Sequence, residues 1–150
     1  LANNRLSDLV HILVYIQMHA ESKLTSDLIA SSLNTNPSLA RRMMSQLKKA
    51  SLLDTTQGTA SPKLSRPATQ ITIFDVYMAT KPESPLLKVD KNTSQNCAVG
   101  HALPKVLNKY YLDIQSTAEA KMRRITIQDI INDVKMDIEH HQKESSMLNS

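Results

Sequence analysis

The 150 residues carry a formal net charge of +4, with 41% hydrophobic and 21% charged side chains, the size and balance of one globular domain. Two glycines, Gly58 and Gly100, leave no room for a Walker loop, a dinucleotide fingerprint or a G-x-S-x-G elbow. One cysteine, Cys97, excludes an intramolecular disulfide framework and a zinc site built of cysteine pairs, and five aromatics without tryptophan make a poor stacking platform for single strands. Apolar runs are short, the longest near the start being 12–16, so no membrane span is expected. No basic segment leads into an apolar one at the start, so no secretory signal is expected either, and a lone cysteine fits a reducing cytoplasm.

In chain order, the first predicted helix covers 4–19. Leu6, Leu9, Val10, Leu13 and Ile16 follow the 3.6-residue period, and Asn3 or Asn4 is the expected cap. His11 and His19 on this helix read as surface or satisfied histidines rather than ligands. Thr25, Ser26 and Asp27 offer caps for a short helix reaching Leu33. The stretch Asn34-Thr35-Asn36-Pro37 then reads as a turn that starts another helix, with Asn36 as cap and Pro37 in the first turn, where a missing N–H costs nothing.

That next helix is predicted to run to Lys49 or Ala50. Leu39, Met43, Leu47 and Ala50 form its apolar side, and Met43-Met44 reads as core filling. Ser38, Arg41, Arg42, Ser45, Lys48 and Lys49 form the opposite side. Two short helices joined by a tight turn, the second with a polar and basic outer face, are the helix-turn-helix pattern that places a recognition helix in the major groove of double-stranded DNA. Charge is concentrated here: 36–66 holds six basic residues, Arg41, Arg42, Lys48, Lys49, Lys63 and Arg66, against the single acid Asp54. Threonines and turn residues from Thr55 to Lys63, between Leu52-Leu53 and Leu64 with Ile71-Thr72-Ile73 beyond, predict a two-stranded hairpin. After a recognition helix such a hairpin is a wing carrying Lys63 and Arg66. A short helix over 74–79, burying Ile73, Val76 and Tyr77, is expected next.

Pro, Ser, Asn, Thr and Lys dominate 81–96, a loop that ends at Cys97. A long periodic segment over 99–124 follows, with the stripe Val99, Leu103, Val106, Leu107, Tyr110, Ile114 and Ala118. Pro104 either sits in its first turn or restarts it. The remaining span is about 20 residues, about 30 Å at the helical rise. Its stripe needs a cover larger than the rest of the domain supplies, and a second copy is the economical one. Thr126 caps a closing helix over 127–138, and 140–150 reads as a frayed tail.

The order of these elements resembles the Rrf2 family of bacterial winged-helix regulators, from Arg5 to Val134. The residues that carry the resemblance are Ser38-Leu39-Ala40-Arg41-Arg42-Met43-Met44-Ser45-Gln46-Leu47-Lys48-Lys49-Ala50-Ser51-Leu52-Leu53 and Gly58 in the wing. Ile71-Thr72-Ile73-Phe74-Asp75-Val76-Tyr77-Met78-Ala79 matches the family's post-wing helix. Cys97-Ala98-Val99-Gly100 opens the long helix, and Ile125-Thr126-Ile127-Gln128-Asp129-Ile130 the closing one. The resemblance implies DNA binding and dimerisation. Members that sense iron–sulfur clusters, nitric oxide or iron carry three cysteines in the loop before the long helix, with a histidine or aspartate as a common fourth ligand; here Cys97 stands alone, Gly100 takes the histidine's place and His101 is one residue off. A protein-held cluster generally needs four ligands, so none is expected, and no cofactor or metal site is assigned. The family's glycine pair in the wing is replaced by Thr59-Ala60-Ser61.

The expected fold is therefore mainly α with a small β-hairpin wing: a winged helix-turn-helix domain plus a long dimerisation helix. It is laid out as 1–80 DNA-binding domain, 81–97 loop, 98–138 dimerisation helices and 139–150 flexible tail. The expected function is a homodimeric regulator, a repressor in sense, binding an operator through Ser38, Arg41, Arg42, Ser45, Lys48, Lys49, Lys63 and Arg66, and dimerising through Leu103, Val106, Leu107, Tyr110 and Ile114. No enzymatic constellation is recognised, and no effector is named. Alternatives are a winged-helix protein-interaction module or a thiol sensor through Cys97, which at a helix start is either a reactive thiol or a small packed hydrophobe. Asp137, His140 and His141 share a helix face at i, i+3 and i+4, a spacing compatible with a metal but more ordinary in an exposed tail.

Overall fold

Leu9, Ile12, Leu13 and Ile16 of helix α1 (Arg5–Met18) are buried almost completely, and the rest of the fold assembles on this one face. The computed structural model describes residues 4–55 and 61–150. Asn4 occupies the cap position of α1 but makes no side-chain capping bond, so the expected asparagine cap is corrected at Asn4; Asn3 lies outside the described residues.

Helices α2 (Ser26–Ser32) and α3 (Pro37–Lys49) start as their sequences predict. The Thr25 hydroxyl accepts the Leu28 N–H at 3.2 Å, and the Asn36 side chain accepts the Leu39 N–H at 2.8 Å. Both stop by the same device. Asn34 (φ 54°) and Ser51 (φ 60°) adopt left-handed backbone, the Thr35 N–H closes on the Ala30 carbonyl at 2.9 Å, and the Leu52 N–H closes on that of Leu47 at 3.0 Å. In a chain so poor in glycine these turns rest on asparagine and serine. Ile29 and Ala30 from α2 and Ala40, Met43, Met44 and Leu47 from α3 complete the side of the core facing α1.

Strands β1 (Leu53–Asp54) and β2 (Lys63–Leu64) pair antiparallel, Leu53 opposite Leu64 and Asp54 opposite Lys63. The connecting 56–60, with Gly58, lies outside the described residues. Ile71-Thr72-Ile73 does not join the hairpin. A 3₁₀ turn (Ala68–Gln70) intervenes, and Ile73 already belongs to α4 (Ile73–Ala79). Val76 and Tyr77 are buried as expected. Ile73 is only half-buried, and Ile71 takes the core position instead.

Helices α5 (Ala98–Met122) and α6 (Ile127–Leu148) depart most from the sequence reading. Two near-identical segments explain how α6 returns to the core. Ile71-Thr72-Ile73-Phe74-Asp75 and Ile125-Thr126-Ile127-Gln128-Asp129 each end in a capping box, with threonine bonded to the N–H of the aspartate and aspartate to that of the threonine. The two segments pair through an isolated antiparallel bridge, Thr72 opposite Thr126, with the Ile73 N–H on the Ile125 carbonyl at 2.9 Å and the Ile127 N–H on that of Ile71 at 2.8 Å. Ile127 and Ile131 thereby enter the core beside α1. The start of α6 is thus part of the N-terminal core rather than of a separate dimerisation block. The helix also continues to Leu148, ten residues beyond the predicted end at Ile138, so 140–148 is helical and exposed.

Pro104 neither sits in the first turn of α5 nor restarts it; it lies inside a continuous helix. Proline has no N–H to give the Gly100 carbonyl four residues back, and the Thr93 hydroxyl donates to that carbonyl instead. The loop can come this close because residue 100 is glycine: a Cβ there would stand 2.5 Å from the Ser94 carbonyl oxygen.

Candidate nucleic-acid interface

The candidate surface is the outer arc of α3. Ser38, Arg41, Arg42, Ser45, Lys48 and Lys49 are all exposed, while Ala40, Met43 and Leu47 on the opposite arc are buried. At 100° per residue, Ser38, Ser45 and Lys49 run along the middle of this arc, with Arg41 and Lys48 on one flank and Arg42 on the other. The helix is held by its neighbours rather than by its own propensity. The Gln46 amide donates to the Ala79 carbonyl at 2.9 Å and accepts from the Arg5 guanidinium at 3.4 Å, tying α3 to α4 and α1.

The flanks differ in their surroundings. Arg41 reaches the Ser38 hydroxyl at 3.4 Å, one turn nearer the helix start, and the Lys48 ammonium lies 3.5 Å from the Thr55 carbonyl at the base of the wing. Arg42, Ser45, Gln46 and Lys49 instead form one wall of a cleft between α3 and α4. Lys63 is exposed on β2, opposite Asp54, whose carboxylate already accepts the Ser65 hydroxyl at 2.9 Å. Of the eight residues singled out from sequence, seven are therefore exposed, six on α3 and Lys63 on β2.

Arg66 is placed differently. Its guanidinium donates to the Gln70 carbonyl at 2.9 Å, to the Ser51 carbonyl at 3.4 Å and to the Asp75 carboxylate at 3.0 Å. With every arm directed at protein, it fastens the end of α3, the 3₁₀ turn and the start of α4. Sequence reasoning missed its partner Asp75, although the threonine–x–x–aspartate pattern of a capping box marks that residue. It also missed Ser61, whose hydroxyl donates to the Ser22 carbonyl at 3.0 Å and accepts the Leu24 N–H, fixing the second arm of the wing to the α1–α2 connection.

Cys97 is the cap residue of α5 and is exposed, not a packed hydrophobe within this chain. At the start of α5 the backbone N–H groups of Gly100, and then of Val99, favour its thiolate and hold the thiol below its ordinary pKa. His101 is engaged with Gln95 at 2.8 Å, and His140 with Glu144 at 3.2 Å. His11 meets the Ser32 hydroxyl at 2.7 Å, and His19 stacks on Tyr15. Helix α5 contains no buried residue: Val99 (66% exposed), Leu103, Val106, Tyr110 and Ile114 (48%) stand open along it, and Leu107 is half-buried.

A helix-turn-helix followed by a two-stranded wing defines the class of winged-helix proteins. Comparison with known proteins gives the family. Residues 2–133 match the model of the family described as Rrf2, iron-dependent transcriptional regulator. The chain is 33% identical over 130 residues to YwnA of Bacillus subtilis (strain 168), named as an HTH-type transcriptional regulator, covering 87% of this chain and 96% of that one. A crystal structure described as a DNA-binding protein superposes with a TM-score of 0.67 at 29% identity, over 85% of this chain and 98% of the other. The fold is shared too by CymR, the global cysteine regulator of B. subtilis, with a TM-score of 0.64 at 17% identity over 87% and 94% of the two chains. The chain belongs to the Rrf2 family of transcriptional regulators, a family of regulators and not of enzymes.

The family description implies iron, and the donors of this chain do not fit it. Among the described residues no group of three or more His, Cys, Asp or Glu side chains is placed to hold a metal ion. Cys97 is the only cysteine of the chain, and Gly100 offers no ligand. Among the described residues no helix is long and apolar enough to cross a membrane.

Proposed function

We propose that the protein is a homodimeric regulator that binds an operator in double-stranded DNA through α3 and the wing, without an iron–sulfur cluster. The observation that carries this reading is the outer arc of α3, polar or basic at Ser38, Arg41, Arg42, Ser45, Lys48 and Lys49 while the inner arc is sealed in the core. Ser38, Arg41 and Arg42 lie nearest the helix start, the end that meets base edges, and either arginine can make the bidentate contact to guanine. Lys48, Lys49 and Lys63 lie where phosphates run. Arg66, with each of its three guanidinium nitrogens bonded to protein, supports the wing from behind rather than touching the duplex.

A second copy is the proposed cover for α5. Twenty-five helical residues extend about 37 Å with an apolar stripe and no buried side chain. Two copies related by a twofold axis set two α3 helices on half-sites about one helical turn of DNA apart. Such a dimer covers a stretch of promoter, which supports repression as its sense and the cytoplasm as its place of work.

The test begins with sequencing the genomic fragments that the purified protein captures. Anisotropy titrations on a captured duplex and on a random one follow, at several salt concentrations. Arg41→Ala or Arg42→Ala, whichever reads the base, is expected to lose about 1–3 kcal/mol on the captured duplex and far less on the random one. Lys63→Ala is expected to weaken both duplexes and lower the salt slope by about one unit. Wild-type operator affinity in both arginine variants would remove α3 as the reading helix.

A further inference from the structure

Between the outer arc of α3 and the end of α4 lies a cleft of about 680 Å³, within the size range of small-molecule sites. Its α3 wall is Arg42, Ser45, Gln46 and Lys49; its α4 wall is Met78, Ala79 and Lys81. Three features make it more than a seam between helices. First, Arg42, Lys49 and Lys81 bring three positive charges to it, and no hydrogen bond or ion pair engages their side chains among the described residues. Second, the charge of the one carboxylate in its wall is paired with Arg66: Asp75 Oδ2 accepts the Arg66 guanidinium at 3.0 Å and the Thr72 N–H at 2.9 Å, which leaves the three cations in excess. Third, Lys81 follows the C-cap of α4 in left-handed backbone (φ 50°), the same device that ends α2 and α3, and lines the cleft just past that helix. Met78, 49% exposed, and Ala50 add apolar wall between the charges.

We propose that this cleft binds a small amphipathic anion, a carboxylate or phosphate monoester with an apolar body, and that its occupancy competes with DNA. The anionic head meets Arg42, Lys49 and Lys81, and the body lies along Met78 and Ala50. Arg42, Ser45 and Lys49 belong both to the cleft and to the outer arc, so an occupant withdraws from the duplex the groups that would meet it. The competition rests on the proposed DNA reading; the anion site rests on the cleft alone.

The probe is 1-anilinonaphthalene-8-sulfonate, an anion with an apolar body that fluoresces when its surroundings dry. Titrated into the full chain, it is expected to bind one site per chain, to be weakened about tenfold by Lys81→Gln, and to be unchanged by Lys143→Gln, which removes the same charge from exposed α6. Octanoate and hexyl phosphate are expected to displace it, their ranking telling carboxylate from phosphate, whereas inorganic phosphate without an apolar body displaces it poorly. A captured duplex is expected to displace the probe from wild type, and Lys81→Gln to bind that duplex within twofold of wild type. Equal probe affinity in Lys81→Gln and Lys143→Gln would overturn the site. Simultaneous saturation by probe and duplex would overturn the competition. A chain that holds the probe through Lys81 yet binds no duplex would sink the DNA reading and the competition, and leave the anion site standing.

Discussion

Arg66 and Asp75 meet at 3.0 Å across the junction between the wing and α4, with their side chains about one-third exposed. The pair closes a small circuit: Asp75 caps α4 through the Thr72 N–H, while Arg66 also holds the Ser51 carbonyl at the turn that ends α3. One guanidinium thus joins the end of α3 and the wing to α4, alongside the Gln46–Ala79 hydrogen bond.

Because the pair is partly exposed, its coupling is expected to be modest. A double-mutant cycle of Arg66→Ala and Asp75→Ala in urea melts should return about 0.5 kcal/mol, and less than about 1. Arg66→Ala alone should leave the salt slope of duplex binding unchanged, in contrast to Lys63→Ala. A slope reduced by a full unit would make Arg66 a phosphate contact after all.

Ser51 ends α3 in left-handed backbone without being glycine. Ser51→Gly relieves that conformation in the folded chain but adds freedom to the unfolded one. The first effect is expected to dominate, raising stability by about 0.5–1 kcal/mol. Chemical denaturation measures it, and a lower midpoint for Ser51→Gly would show that the turn is not strained.

Gly100 lies inside a helix, where alanine ordinarily stabilises by about 1 kcal/mol. Here the added Cβ would meet the Ser94 carbonyl oxygen at 2.5 Å. Gly100→Ala is therefore expected to give no gain in Tm and to speed limited proteolysis within 81–97. A Tm several degrees higher, with the loop still protected, would contradict the close packing.

Cys97 carries a thiol pKa lowered by the N–H groups of Gly100 and Val99. A lowered value leaves more thiolate at neutral pH, an advantage that disappears as pH falls through the folded pKa. Iodoacetamide labelling should reach half its maximal rate at a lower pH than in a short unstructured peptide of the same local sequence. Cys97→Ser is expected to keep the fold and duplex affinity, since the residue is at the start of α5 and not on α3 or β2. A labelling profile identical to the peptide's would remove the effect of the helix start.

The stripe on α5 makes the oligomeric state testable. Sedimentation equilibrium at micromolar concentration should give twice 16.8 kDa. Tyr110→Glu with Ile114→Glu should give a monomer whose winged-helix core remains folded, because neither side chain belongs to that core. Duplex affinity should then fall as the second half-site is lost. A wild-type monomer would end the proposed cover for α5.

How much of this was legible before the structure follows the range of the interactions. The caps Thr25, Asn36 and Thr126, the burial of Leu9, Leu13, Met43 and Leu47, and the split of α3 into basic and apolar arcs were readable because each depends on residues within one or two turns. The start of α3 followed from Asn36 and Pro37 for the same reason. Of the paired segments, Ile125-Thr126-Ile127 was legible as a helix start through Thr126, whereas the residues of Ile71-Thr72-Ile73 themselves read as strand.

What those neighbours could not reveal is which distant groups meet. Ile71-Thr72-Ile73 has a strand's alternation, yet its partner is Thr126 rather than the wing, so α6 enters the core and α5 is left bare. Arg66 has the charge of a phosphate contact, yet Ser51, Gln70 and Asp75 take up its donors. Lys81 has no marked sequence context, yet it faces Arg42 and Lys49 once α4 packs on α3. Local periodicity and capping chemistry determine the helices; the destination of each charge and each apolar stripe was decided by contacts between residues far apart in sequence, because burial and hydrogen bonding act on neighbours in space.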